Sequence, residues 1–264
     1  MRSEIRAYYD RGGESGRLLA GAGRLEFLRT WDVLIRVLPG PPAVVLDVGG
    51  ATGAYAGPLA DVGYVVHLVD PVPYHVDVAA GLPGITATLG DARALDRPDA
   101  SADAVLLLGP LYHLVERADR LAAWREAGRV VRSGGVVIAA TISRFASMLD
   151  GLARNLLDRP EFIDVILGDL ATGRHRNLAN VPGWFTTAYF HHPDEPTVEA
   201  TEAGLRVDRV VLVEGPLWML DRLTEILADE VRTTQVLDLL RQVETEPSLF
   251  GSSSHLLTVA YRPA

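Results

Sequence analysis

The run Asp47-Val48-Gly49-Gly50-Ala51-Thr52-Gly53 sets three glycines and an acid where an apolar segment gives way to a helix-forming one. Glycines at such a junction let the backbone turn sharply and let a ligand approach the main chain. Asp70 ends the second apolar run, where a carboxylate accepts from both hydroxyls of a ribose. Gly90-Asp91-Ala92 closes the third run, and there a side-chain carboxylate suits an adenine amino group. Asp47 and Asp91 also read as helix caps or turn carboxylates.

Spacing separates the adenosine ligands. A dinucleotide asks for Gly-x-Gly-x-x-Gly, so that backbone meets the pyrophosphate at a helix N-terminus. Counted from Gly49, the second and third glycine positions hold Ala51 and Ala54. The acid two residues before Gly49 suits instead a ligand whose near end carries an ammonium.

These residues need a scaffold that brings strand ends together. Segments 43–48, 64–69, 85–89, 103–108 and 136–142 are short runs rich in Val, Ile and Leu. Continuous apolar runs fit strands covered on both faces by helices. Between them lie helical stretches, the clearest at 115–132, stopped by Ser133-Gly134-Gly135. Strand–helix alternation implies parallel βαβ units in a doubly wound α/β sheet. Segments 205–213 and 255–262 add two more strands, separated by helical 217–245, which makes seven strands in a mainly parallel sheet.

The expected organisation is a single domain over 1–264. Residues 1–40 form an N-terminal helical cover, 41–144 the ligand-binding core, 145–190 an inserted lid, and 191–264 the closing helices and strands. The helix after Pro193-Asp194-Glu195 has Pro and acids where a first turn favours them.

Composition excludes several chemistries. The 264 residues hold no cysteine, and all 25 basic residues are arginine. Thiolate nucleophiles, Cys-ligated zinc, Schiff-base chemistry and the P-loop lysine are therefore out. A net charge of −9 argues against a nucleic-acid partner. No apolar run reaches the roughly 20 residues of a membrane span, and the N-terminus lacks the apolar core of a signal peptide. A cytoplasmic protein without membrane contact, monomeric or homodimeric, is expected.

With these residues in order, the sequence resembles the class I S-adenosylmethionine-dependent methyltransferase superfamily, which has a Rossmann-like fold. The first motif of that superfamily, D/E-x-G-x-G-x-G, matches Asp47, Gly49 and Gly53, with Ala51 at the middle glycine. Asp70, Asp91-Ala92, Asp103 and the Arg132–Gly135 turn follow in the family's order over about 40–142. The resemblance implies S-adenosylmethionine as cofactor, its methionine end cradled by Gly49, Gly50, Ala51 and Gly53. It implies Asp70 on the ribose, Pro71 against the adenine, Asp91 and Ala92 at the adenine amino group, and Leu108-Gly109 beside the sulfonium. Tyr9 and Arg24 of the N-terminal helices would meet the cofactor carboxylate, an Arg matching it through a two-pronged hydrogen bond.

After the fourth strand come Tyr112 and His113, where the family usually meets its acceptor. His113 is expected as a general base or an acceptor-orienting group, with an ordinary pKa near 6.5. The aromatic run 184–192 alternates, placing Phe185, Thr187, Tyr189 and His191 on one face. With Arg144, this face is expected to shape the acceptor pocket. The Arg174-His175-Arg176 turn reads as a solvated loop. Glu116 and Asp119 read as helix-surface acids, and no metal is expected.

The reaction implied is methyl transfer to an O or N, or a C, of a small molecule, giving S-adenosylhomocysteine. The alternatives are methylation of a peptide or tRNA side group, an NAD-dependent dehydrogenase, and a binding module that has lost transfer.

Overall fold

The computed structural model describes residues 2–9, 16–18 and 21–264. Five strands run parallel: β1 (Val44–Val48), β2 (Val65–Asp70), β3 (Ile85–Leu89), β4 (Ala102–Leu107) and β5 (Val131–Ile142). Two short antiparallel strands, β6 (Arg174–His175) and β7 (Ala188–Tyr189), form a separate ribbon. Strand β8 (Arg206–Leu212) and strand β9 (His255–Tyr261) complete a seven-stranded sheet in the order β3-β2-β1-β4-β5-β9-β8. Strand β9 runs opposite to the other strands of this sheet, antiparallel to both β5 and β8. The fold class read from the sequence is the one observed.

Alternate strand residues serve two cores. After a short helix α1 (Ser3–Tyr9), Val45, Val66, Leu68, Leu106 and Ile138 pack on one face with Val33 and Leu34 of α2 (Gly21–Val37), Leu38 just beyond it, and Ala56 and Leu59 of α3 (Ala56–Asp61). Helix α4 (Pro73–Ala80) adds Ala79 to the same cluster. Leu46, Val69, Val105, Leu107 and Val137 face the other side. There the short α5 (Pro110–His113) and the longer α6 (Arg117–Val130) supply Leu111, Ala123, Trp124 and Ala127. Trp124 is wholly buried, and burying such a side chain stabilises by about 1.5–3 kcal/mol.

Helix α6 ends two residues before its expected limit. Val131 already pairs with Ala102, and the glycines of Ser133-Gly134-Gly135 make an irregularity inside β5. Beyond β5 lie α7 (Ala146–Ala153) and α8 (Pro160–Thr172), followed by the β6–β7 ribbon. Arg174 and His175 are therefore strand residues, and His175 is buried against Asp169 at 2.8 Å rather than solvated. Helix α9 (Glu195–Glu202) carries Pro196, not Pro193, in its first turn. The expected helical stretch 217–245 divides into a 3-10 turn (Gly215–Met219), α10 (Leu223–Leu227) and α11 (Glu230–Val243). Among the described residues, no helix is long and apolar enough to cross a membrane.

Candidate active site

Strand order reverses between β1 and β4, and open α/β sheets bind ligands in the crevice at that switch point. A cavity of about 820 Å³ opens there, lined by the ends of β1, β2 and β4 and by the turn after β3. All of the sequence-derived cofactor residues line it: Tyr9, Arg24, Asp47, Gly49, Gly50, Ala51, Gly53, Asp70, Pro71, Asp91, Ala92, Leu108 and Gly109. So do Tyr112 and His113.

The glycine turn is built by close approach. A Cβ on Gly50 would sit 2.5 Å from an Asp47 carboxylate oxygen, and one on Gly49 would meet the Pro110 ring at 2.9 Å. Gly49 also has φ +71°, in the left-handed region. Ala51, at the family's middle glycine, holds φ +48° despite its methyl group. That conformation costs a non-glycine residue roughly 1–2 kcal/mol. The Ala51 N–H donates to Asp70 Oδ2 at 3.0 Å, which pins the strained residue.

Asp47 is 1% exposed, and neither carboxylate oxygen has a hydrogen-bond partner. Burial, with the Asp70 charge adding to it, pushes its carboxyl up to about 7. A buried acid without donors is costly. Set directly under a backbone cradle, it fits a ligand bringing its own cationic donors.

Asp70 is more fully engaged than the sequence suggested. Its Oδ1 accepts from Val72 N at 2.9 Å and faces His75 Nδ1 at 3.0 Å, while Oδ2 takes Ala51 N. A carboxylate offers about four acceptor sites, so capacity remains for a ribose hydroxyl. Asp91 is held by the Arg93 side chain at 2.6 and 2.9 Å, and the Arg93 guanidinium keeps its carboxyl below the usual range. Arg24 lies 5.4 Å from the Phe27 ring centre.

At the end of β4, His113 Nε2 lies 2.6 Å from the Tyr9 hydroxyl, which joins α1 to α5. The rings of Tyr112 and Phe185 pack against it at 4.7 and 5.7 Å. Burial lowers the imidazole to about 4, against the opposing pull of the Thr187 backbone and the Asp70 charge. His113 therefore lies below the ordinary value near 6.5 and is neutral at pH 7.

Arg144, Phe185, Tyr189 and His191 are absent from the cavity wall. The alternation exists, with Trp184, Thr186, Ala188 and Phe190 buried and Phe185, Thr187 and Tyr189 half-buried. On the half-buried side, Tyr189 meets charges from α9, while Phe185 packs on the rings of Tyr8, Tyr112 and His113. Tyr189 donates to Glu195 at 2.7 Å, and Arg144 reaches Glu195 at 3.0 Å. His191 is fully buried, 3.8 Å from Glu199, which Arg120 clamps at 2.8 Å. Phe185 supports the site indirectly, packed between Tyr8 and His113.

Sequence reasoning gave no role to Arg17, Glu26, Phe27, Tyr55, His75 or His255, all of which line the cavity. One signal was available for His255, a titratable residue opening the otherwise apolar run HLLTVAY.

Comparison with known proteins follows the same geometry. The family model described as a methyltransferase domain matches residues 46–139, from β1 into β5. An uncharacterized methyltransferase of Mycobacterium tuberculosis is 39% identical over 100 residues, 38% of this chain and 40% of that protein. A ubiquinone biosynthesis O-methyltransferase of Methylocella silvestris is 36% identical over 106 residues, again 38% of this chain and 40% of that protein. The chain thus spans 40% of the length of these curated relatives. The crystal structure of an S-adenosylmethionine-dependent methyltransferase from Thermotoga maritima shares the fold with a TM-score of 0.61. Its identity is 17%, and 98% of each chain is covered. The glycine turn thus lies inside the segment that matches the methyltransferase domain model, and the sheet is the one seen in the solved S-adenosylmethionine-dependent methyltransferase.

Proposed function

We propose that this chain transfers a methyl group from S-adenosylmethionine to an oxygen, nitrogen or carbon of a small-molecule acceptor, leaving S-adenosylhomocysteine. The observation that carries this reading is the Asp47 carboxylate, buried without a donor under the glycine turn of a large cavity. An amino-acid ammonium supplies the missing donors; a pyrophosphate would add like charge. The backbone of Gly49, Gly50, Ala51 and Gly53 would hold the methionine end, with Tyr9 and Arg24 toward its carboxylate. Asp70 would hold the ribose, Pro71, Asp91 and Ala92 the adenine, and Leu108 and Gly109 the floor beside the sulfur.

When bound, the cofactor supplies a sulfonium methyl, an electrophile that needs alignment more than activation. The chain's own contribution is to align the acceptor and keep the site dry. The Tyr9–His113 contact closes one side of the cavity with α1, which favours a small acceptor over a peptide or tRNA. The net charge of −9 points the same way. His113, neutral and fixed by Tyr9, orients the acceptor. The reading places the activity in the cytoplasm, in one domain over 1–264.

Incubation with methyl-labelled S-adenosylmethionine and a metabolite extract tests the proposal. Label is expected in a small-molecule product, and its failure to leave the cofactor would contradict the reading. The same assay across pH tests His113. His113→Ala is expected to cost about tenfold or less in turnover, with S-adenosylhomocysteine affinity held within about threefold. An acid limb near pH 6–7 that disappears in this variant would restore it as the base.

A further inference from the structure

Away from the glycine turn, the cavity runs between α2 and the start of β9. Phe27, Tyr55, Ala140, Val213 and Leu257 give it apolar walls there. His255 interrupts them. Its Nδ1 lies 2.5 Å from Glu214 Oε1 and 3.8 Å from Glu26 Oε2. Contact that close to a carboxylate requires a proton on Nδ1, so the ring donates to Glu214. The other Glu214 oxygen accepts from the Ser253 hydroxyl at 2.9 Å and the His255 amide at 3.0 Å. Glu26 is gripped by both terminal nitrogens of Arg17.

The charges facing the imidazole are therefore Glu26, Glu214 and Arg17. Burial disfavours charge on the ring, but the two carboxylates outweigh burial and Arg17, raising His255 to about 9. The Tyr55 phenol, desolvated and beside Glu26, stays well above its ordinary value and adds no charge. At neutral pH His255 is an imidazolium. Its side chain keeps 20% exposure at the cavity wall, and its Nε2 edge has no hydrogen-bond partner among the described residues. The carboxylate oxygens and the imidazole nitrogen come within 4.8 Å of one another, close enough to share a cation. The Arg17 grip and the Nδ1 proton already occupy them, which makes a hydrogen-bonding role the better fit.

We infer that His255 is the acceptor-binding group of this cavity, donating from Nε2 to the oxygen of a phenolic or enolic hydroxyl on a ring-sized apolar body. The assignment rests on the methyl-transfer reading for calling that occupant an acceptor. A phenolic or enolic hydroxyl enters neutral and ionises in place, its charge developing against the His255 imidazolium. The balance closes without another reagent. The hydroxyl proton leaves to solvent on binding, and His255 keeps its own. The oxyanion's lone pair forms the O–CH3 bond as the S–CH3 bond breaks, and the sulfonium becomes a neutral thioether.

The probe is para-nitrophenol, whose phenolate is coloured, titrated against the protein with S-adenosylhomocysteine present. Its apparent pKa in the site is expected to fall by about one unit, a tenfold shift toward phenolate. His255→Gln should abolish the shift while S-adenosylhomocysteine affinity stays within about threefold. An unchanged shift in that variant overturns the inference, as does a shift removed by EDTA, which would assign the site to a metal. Should the variant fail to fold, proton NMR of the wild-type His255 ring decides. Probe binding should raise its pKa further, and a titration indifferent to the probe overturns the inference. If the probe shift follows His255 but S-adenosylhomocysteine does not bind, the oxyanion site stands and the methyl-transfer reading falls.

Discussion

Asp47→Asn should make the ligand-free protein more stable at pH 8 and weaken its hold on S-adenosylhomocysteine. Burial, with the Asp70 charge adding to it, raises the folded carboxyl from 3.8 to about 7. The unfolded chain releases this proton near pH 4, so between about pH 4 and 7 the native state binds more protons. Native stability falls as pH rises through that window, by about 4 kcal/mol in all. Asn removes the charge but leaves a buried amide unsatisfied, which takes back about 1–3 kcal/mol. A net gain of about 2 kcal/mol at pH 8 corresponds to roughly 4–8 °C in Tm for a chain of this size. Near pH 4 the gain should have turned into a loss of about 1–3 kcal/mol, the amide penalty alone. Binding should weaken about 10- to 100-fold, because the charged acceptor under the glycine turn is gone. Equal melting at pH 8, or unchanged affinity, would mean that Asp47 has a partner this account has not recognised.

Asp70→Ala should damage both affinity and stability. The carboxylate holds Ala51 N, Val72 N and His75, so its loss leaves donors unmet in a site where Asp70 itself is 4% exposed. It also frees Ala51 from the bond that fixes its φ of +48°. Denaturant unfolding should show a loss of about 2–3 kcal/mol. S-adenosylhomocysteine affinity should drop at least about 100-fold, through the lost ribose acceptor and the relaxed turn together. Asp70→Asn, which keeps an acceptor oxygen, should recover part of both. Affinity unchanged in the Ala variant would remove Asp70 from the ribose.

The sequence made the sheet legible because its strands are apolar on both faces, and few other structures need such runs. The glycine turn was legible for a related reason. Asp47, Gly49 and Gly50 must lie within a few ångströms of one another to build it, so their spacing is local. Glu26 and His255 escaped notice because their meeting is non-local. It depends on Ile142 pairing with His255 across β5 and β9 and on α2 lying over that edge. The lid shows the opposite case. The alternation of 184–190 is visible in the sequence, but the direction of Tyr189 on its half-buried side is decided by Glu195 on α9. His113 was located correctly at the end of β4; its lowered pKa comes from the closing of α1 and Phe185 over the ring.

Calorimetric titration with S-adenosylhomocysteine and, separately, with NADH tests the central claim most directly. The structure's unpartnered acid and its alanines at the second and third dinucleotide positions predict a Kd in about the micromolar range or tighter for the first ligand. No heat of binding is predicted for NADH. Binding of NADH with none of S-adenosylhomocysteine would contradict the account and make the chain a dinucleotide protein.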